Sequence, residues 1–337
     1  MNPVIVCRGL GKSYTTYERE PGLLGSLKSL IARRSRRKPA LVGLNLEVHK
    51  GEIVGLLGAN GAGKTTLMKM LSGIMPPDEG QIEVLGESPA ARRSEFKKRI
   101  TMAMGQKNQV WWDLPGRDSL ELLRAYYEIP RQAYEERLRE LTELLEVGSL
   151  LNTQVRRLSL GERMKIEIMA CLLHQPELIL LDEPTIGLDV GAQERLRGFI
   201  RSYHERYRPT ILVTSHYMAD IVSLCPRVLL LMEGQLKYDG DRERLAQVFG
   251  QKKRLQLFMH PGSPRVDRHH PLLAALEPRW KSDHEVELDI PRDELSARTA
   301  EILTSLPVRD FSTTEIPFEA VLERVLKDPT ILRRLAP

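Results

Sequence analysis

Lys64 and Thr65 end the run Gly58-Ala59-Asn60-Gly61-Ala62-Gly63-Lys64-Thr65, with Thr66 directly after it. This is a G-x-x-x-x-G-K-T phosphate-binding loop. It lies between an apolar stretch, Ile53 to Leu57, and a helical pattern carrying Leu67, Met68 and Leu71. The glycines let backbone N–H groups curl around phosphate oxygens, where a side chain would block the approach. The helix that follows offers its N-terminus to the anion. Lys64 is placed to reach the β- and γ-phosphates, and the Thr65 hydroxyl to ligate Mg²⁺. The chemistry expected of this segment is nucleoside triphosphate binding.

A second group of residues supplies what such a site needs for hydrolysis. Leu178 to Leu181 is an apolar run ending in Asp182 and Glu183. It reads as a buried parallel strand that delivers its acids at the carboxyl edge of an open α/β sheet. Asp182 is expected to hold Mg²⁺ through water. Glu183 is expected to orient and polarise the attacking water, because phosphoryl transfer depends on positioning and charge stabilisation. Thr210 to Ser215 reads as another short buried strand, and His216 follows it where a γ-phosphate could be sensed.

With these motifs in order, the chain resembles the ATP-binding cassette (ABC) family of ATPases over about residues 4–240. Leu158-Ser159-Leu160-Gly161-Glu162 is similar to that family's signature, usually Leu-Ser-Gly-Gly-Gln. Asp182 to Asp189 resembles its Walker B motif and D-loop, Gln106 its Q-loop glutamine, His216 its switch histidine, and Tyr14 its adenine-stacking aromatic. The resemblance implies an α/β P-loop core with a helical subdomain, ATP and Mg²⁺ as cofactors, and ATP hydrolysis. It implies that Glu183, His216 and Gln106 are catalytic, and that Thr65, Gln106 and Asp182 hold the metal. It also implies two cassettes packed head to tail. Ser159 and Gly161 of one would then contact the γ-phosphate held by the other, and Asp189 would couple the sites.

The sequence departs from the family pattern at Leu160, which replaces a glycine, and at Glu162, which replaces a glutamine. A basic insertion, about residues 17–39, lengthens the path from Tyr14 to the phosphate loop, and Tyr17 is a second candidate for stacking. Leu23, Leu24, Leu27, Leu30 and Ile31 recur at helical spacing, with Lys28 among them and Arg33, Arg34, Arg36, Arg37 and Lys38 after them. This predicts a short amphipathic helix with a basic tail, suited either to an anionic membrane surface or to open solvent. Lys107-Asn108-Gln109-Val110-Trp111-Trp112 follows the Q-loop. Its two tryptophans suit either a partner surface or the subdomain's own core. This run and the basic insertion resemble a bacterial exporter-type subgroup whose permeases are separate chains.

The elements that must position these residues fall into two parts. The expected cassette covers 1–240, with a helical subdomain at about 107–160. An accessory α+β domain covers 241–337, where Leu255-x-Leu257-x-Met259 and Val286-x-Leu288-x-Ile290 alternate as strands. Helices are expected over Leu295 to Leu306 and Phe318 to Leu326. No internal repeat is evident, so a second ATPase subunit, identical or homologous, is expected as partner. Charged residues make up 28% of the 337, so a soluble chain is expected, and because the basic patch is short and the cassette single, no nucleic-acid partner is expected. The start lacks the pattern of a secretory signal. The three cysteines lack metal-site spacing and fit buried reduced thiols. The expected function is the ATPase subunit of an ABC transporter, an exporter, peripheral on the cytoplasmic face of the cell membrane with integral membrane permeases as partners. The alternative is a soluble cassette acting on ribosomes or nucleic acid.

Overall fold

The structure, a computed structural model, describes residues 3–17, 35–104, 109–215, 217–244, 252–260, 266–268, 270–276 and 278–316. Gln106, His216, most of the basic insertion and the C-terminal helix expected over Phe318 to Leu326 lie outside them. The chain divides into two compact units, Met1–Gly240 and Asp241–Pro337.

In the first unit, strands β1 (Pro3–Tyr17) and β2 (Ser35–His49) form a long antiparallel hairpin, paired as far as Tyr17 with Ser35. Arg36, Arg37 and Lys38 therefore belong to a strand. The end of the expected basic tail is thus strand, with these residues paired to Thr16, Thr15 and Tyr14, while the helix expected over Leu23 to Ile31 lies outside the described residues. Strand β4 (Glu79–Val84) pairs with the other side of β1. The larger sheet contains β3 (Ile53–Leu57), β5 (Ile100–Met104), β6 (Leu178–Asp182), β7 (Thr210–Thr214), β8 (Arg227–Met232) and β9 (Gln235–Asp241), in the order β5-β6-β7-β3-β8-β9. The first five of this order run parallel. Strands β3, β6 and β7 are buried at every position, which is why they read as continuous apolar runs rather than alternating ones.

The register of this sheet sets the site. Met104 pairs with Asp182, Asp182 with Thr214, Thr214 with Leu56, and Leu56 with Leu229. One row of residues thus crosses the sheet at the carboxyl ends of its strands. The chain segments leaving that row carry the phosphate loop, Glu183 and Ser215.

Helix α1 (Lys64–Leu71) packs Leu67, Met68 and Leu71 into a core shared with Leu10, Leu44, Leu56, Leu180 and Leu229. Helix α2 (Ser94–Arg99) buries Phe96. Helices α3 (Gly116–Tyr126) and α4 (Arg131–Leu145) bury Leu120 and Leu123, and Tyr134, Leu138, Leu141 and Leu145, at helical spacing. Helix α5 (Leu160–Leu172) starts in a complete capping box between Ser159 and Glu162. Helix α6 (Val190–Tyr207) is capped by Asp189, and the short α7 (Met218–Leu224) follows β7. Among the described residues no helix is long and apolar enough to cross a membrane.

The second unit contains β10 (Lys252–Met259), α8 (Pro271–Ala274), β11 (Arg279–Ser282), β12 (Glu285–Pro291), α9 (Leu295–Ser305) and β13 (Val308–Glu315). Its antiparallel sheet has the order β11-β12-β10-β13. This is the split βαββαβ topology. Leu255, Leu257, Val286, Leu288 and Ile290 face Leu273 and Ile302 of the helices in its core.

Leu180, fully buried at the middle of β6, tests the main core. Leu180→Ala should cost about 2–5 kcal/mol of unfolding free energy. Urea denaturation checks this, and a change under 1 kcal/mol would contradict the packing.

Candidate active site

The loop after β3 is held from both sides. A Cβ on Gly58 would meet the Leu231 carbonyl oxygen at 2.3 Å, and one on Gly63 the Ala40 carbonyl oxygen at 2.4 Å. Both positions have positive φ, so glycine is required twice over, by space and by backbone conformation. Ala62 is buried and forms the inner side of the loop. The Lys64 ammonium, 5% exposed, donates to the carbonyls of Gly58 at 2.7 Å and Ala59 at 3.2 Å. Its charge thus lies inside the curl of the loop, at the start of α1.

A cavity of about 240 Å³ opens on this loop. Asn60, Gly61, Gly63, Lys64, Thr65 and Thr66 form its floor, and Glu183 reaches it from the end of β6. Tyr14, Lys38, Pro39 and Ala40 of the hairpin also line it. Tyr14, 39% exposed, shares a hydrogen bond of 3.1 Å with the Thr66 hydroxyl. The insertion therefore leaves Tyr14 on the loop.

Asp182 is buried just behind Glu183. The Thr214 hydroxyl donates to Asp182 Oδ1 at 2.7 Å and accepts from the Glu183 amide at 3.0 Å. Glu183 has φ 56°, a left-handed conformation that costs a non-glycine residue about 1–3 kcal/mol. Thr214 helps to hold it in that turn. Thr214 was not among the expected site residues, because a threonine ending an apolar strand carries no motif.

The residues of the signature lie elsewhere. Ser159, Gly161 and Asp189 line a separate cavity of about 600 Å³ with Leu188 and Arg195. Ser159 Oγ donates to Glu162 at 2.8 Å and accepts from its amide at 3.3 Å, while the Ser159 amide donates to the same carboxylate at 2.9 Å. These bonds hold the Glu162 carboxyl below its usual range. A Cβ at Gly187, where φ is positive, would lie 2.7 Å from Leu160 Cδ2. The leucine that replaces a glycine thus packs on the D-loop backbone. Within one chain, then, Ser159, Gly161 and Asp189 line a different cavity from Lys64, Thr65 and Glu183. Trp111 and Trp112 are 46% and 48% exposed, against the reading in which they fill the subdomain's core. The Arg163 guanidinium lies over the Trp112 ring at 5.4 Å. Cys7, Cys171 and Cys225 are buried and form no disulfide with one another.

A phosphate loop facing a strand-end carboxylate on a five-strand parallel core defines a P-loop ATPase. Residues 41–186 match the family model described as ABC transporter. The chain is 34% identical over 202 residues to the ABC transporter ATP-binding protein NatA of Bacillus subtilis, covering 60% of this chain and 82% of that protein. It is 33% identical over 210 residues to the Nod factor export ATP-binding protein I of Burkholderia lata, covering 62% and 68%. A solved dimeric structure of the ATP-binding cassette MJ0796 with ADP and Pi superposes with a TM-score of 0.59 at 20% identity, covering 70% of this chain and 98% of that one. The chain belongs to the ATP-binding proteins of ABC transporters and is an ATPase subunit of that class. Other relatives are longer: it spans 61% of one and 14% of another.

One buried acid beside the site has no place in the motifs. Glu167 of α5, 6% exposed, accepts from the amides of Gln109 at 2.7 Å and Val110 at 3.5 Å. Burial pushes its carboxyl from 4.5 up to about 7, even though those amides favour the charged form. The folded chain therefore holds this proton more tightly than the unfolded chain does. The resulting cost is absent below pH 4.5, grows as the pH rises towards 7, and is constant above that. Glu167→Gln removes it, so the variant should gain on the native chain by about 3 kcal/mol as the pH rises through this window. Urea denaturation at pH 5 and pH 8 reads the difference; the same variant effect at both would contradict the assignment.

Proposed function

We propose that this chain powers export through separate membrane permeases, coupling ATP-driven pairing of two cassettes to transport. The observation that carries the pairing is the division of the site residues. Lys64, Thr65 and Glu183 line one cavity, whereas Ser159, Gly161 and Asp189 line another. A second copy or homologous chain, packed head to tail, would bring one chain's signature to the other's phosphate loop. The dimeric state of the MJ0796 cassette supports this reading, and the export role named for the Burkholderia lata relative supports the direction. The exposed Trp111 and Trp112 suit a permease surface, with aromatic area available for burial. In this reading the protein is peripheral on the cytoplasmic face of the membrane. Contact of the basic insertion with anionic lipid belongs to the same proposal.

Within each site, Lys64 and the loop amides take the β- and γ-phosphates, and Tyr14 takes the adenine face. Glu183 orients the attacking water, with Gln106 and His216 assigned beside the γ-phosphate. Bound Mg²⁺ would neutralise phosphate charge. Thr65 and the buried Asp182 fit it, because both offer hard oxygen, and Mg²⁺ takes few protein ligands beside phosphates and water.

Glu183→Gln should lower ATP turnover by about 100-fold or more while leaving binding intact. With ATP it should run as a dimer in size-exclusion chromatography and, from native membranes, co-purify with a multi-span protein. A monomer at saturating ATP would overturn head-to-tail pairing. Ribosomal proteins or RNA as the co-purifying partners would overturn the transport reading. Lys64→Ala should abolish nucleotide binding, read by a fluorescent ATP analogue.

A further inference from the structure

One buried carboxylate joins the segments that leave the carboxyl edge of the parallel sheet. Asp220, on α7, is 1% exposed. Its Oδ2 accepts from the Thr185 hydroxyl at 2.5 Å and the Ser215 hydroxyl at 2.6 Å. Its Oδ1 accepts from Arg197 Nη1 at 2.7 Å. Each partner belongs to a different part of the machinery. Thr185 is in the turn that follows Glu183 and leads to the D-loop. Ser215 directly precedes His216 and also accepts from the Tyr217 amide at 2.9 Å. Arg197 is on α6, the helix capped by Asp189.

We propose that Asp220 is a positioning residue for ATP hydrolysis, fixing the Glu183 turn and the chain entering His216 in one relation through the Thr185 and Ser215 hydroxyls. The inference rests on the hydrolytic role assigned to Glu183. A buried ion pair is poor value as a stabiliser, because desolvation offsets much of its attraction. Its use here is geometric. A carboxylate accepts several hydrogen bonds in fixed directions, and an apolar cluster fixes none. Thr185 and Ser215 meet on a single oxygen, so neither segment shifts without breaking a buried bond. Glu183, in its left-handed turn, is bounded by Thr214 on one side and by the Thr185 anchor on the other. Phosphoryl transfer responds steeply to such placement, where a displacement near 1 Å costs about 100-fold.

The test compares Thr185→Val, which keeps the shape and removes the hydroxyl, with Thr185→Ser, which keeps the hydroxyl. Both are made in the full chain, alongside Asp220→Asn and Glu183→Gln. The kcat for ATP is expressed per nucleotide bound at saturation, so misfolded protein does not count. The expected result is a fall of about tenfold in kcat for Thr185→Val and for Asp220→Asn, with KM and ATP affinity within about twofold, and near-native turnover in Thr185→Ser. Equal activity of the Val and Ser variants overturns the proposal, and does so even where Asp220→Asn fails to fold. Glu183→Gln separates the two readings. If it loses turnover while Thr185→Val keeps it, only the role of Asp220 falls. If it keeps turnover, the hydrolytic assignment of Glu183 and this inference fall together.

Discussion

The hydroxyl of Thr214 lies at the point on which the catalytic edge depends. It is buried, donates to Asp182 and accepts from the amide of Glu183, so a single oxygen sets two adjacent residues with different tasks. Its position follows from the strand order. Strand β7 lies between β3, which leads into the phosphate loop, and β6, which delivers the carboxylates. Because Leu56, Thr214 and Asp182 occupy one row, the segments beyond them emerge side by side. A slip of one residue in this register would turn Asp182 to the other face of the sheet. Complete burial of the three strands makes such a slip costly, so the apolar packing of the core is also what aims the site.

The short motifs were legible because their chemistry is local. A loop that wraps phosphate needs glycine at fixed intervals, and Gly58 and Gly63 meet that need with positive φ and backbone carbonyls in the space a side chain would fill. The buried strands were legible from apolar runs, and the second unit's strands from alternation at Leu255 and Leu257. What the sequence could not reveal are pairings between distant residues. Thr214 meets Asp182 across 32 positions, Thr185 meets Asp220 across 35, and Glu167 meets Gln109 across 58. Threonine, aspartate and glutamate each have many uses, and no periodicity marks which of them are joined by the fold.

The hairpin shows a different limit. Arg36, Arg37 and Lys38 read in one dimension as a basic tail, yet in space they pair across β1. Intrinsic pattern is a weak guide where a long antiparallel partner is available. The consequence is functional as well as structural, since the register places Lys38 opposite Tyr14, and both line the nucleotide cavity.

The signature end carries its own electrostatic tension. A helix N-terminus attracts an anion because its first amides lack partners. At α5 the capping box supplies partners for two amides internally, those of Ser159 and Glu162, with the Glu162 carboxylate also bound to the Ser159 hydroxyl. A glutamine in that position could accept the same bonds without charge. Glutamate accepts them as an anion, and the bonds themselves keep it ionised. In the dimer proposed above, a γ-phosphate approaching Ser159 would meet a negative charge one turn into the helix. Part of the attraction of the helix terminus would thereby be cancelled, and closure in such a dimer would rest more heavily on Lys64. Leu160, packed on Gly187, adds apolar contact between the signature and the D-loop where a glycine would add none. In that dimer the two departures from the family pattern would act in different directions: Glu162 would weaken the pull of the signature on phosphate, whereas Leu160 ties the signature to the loop that ends at Asp189.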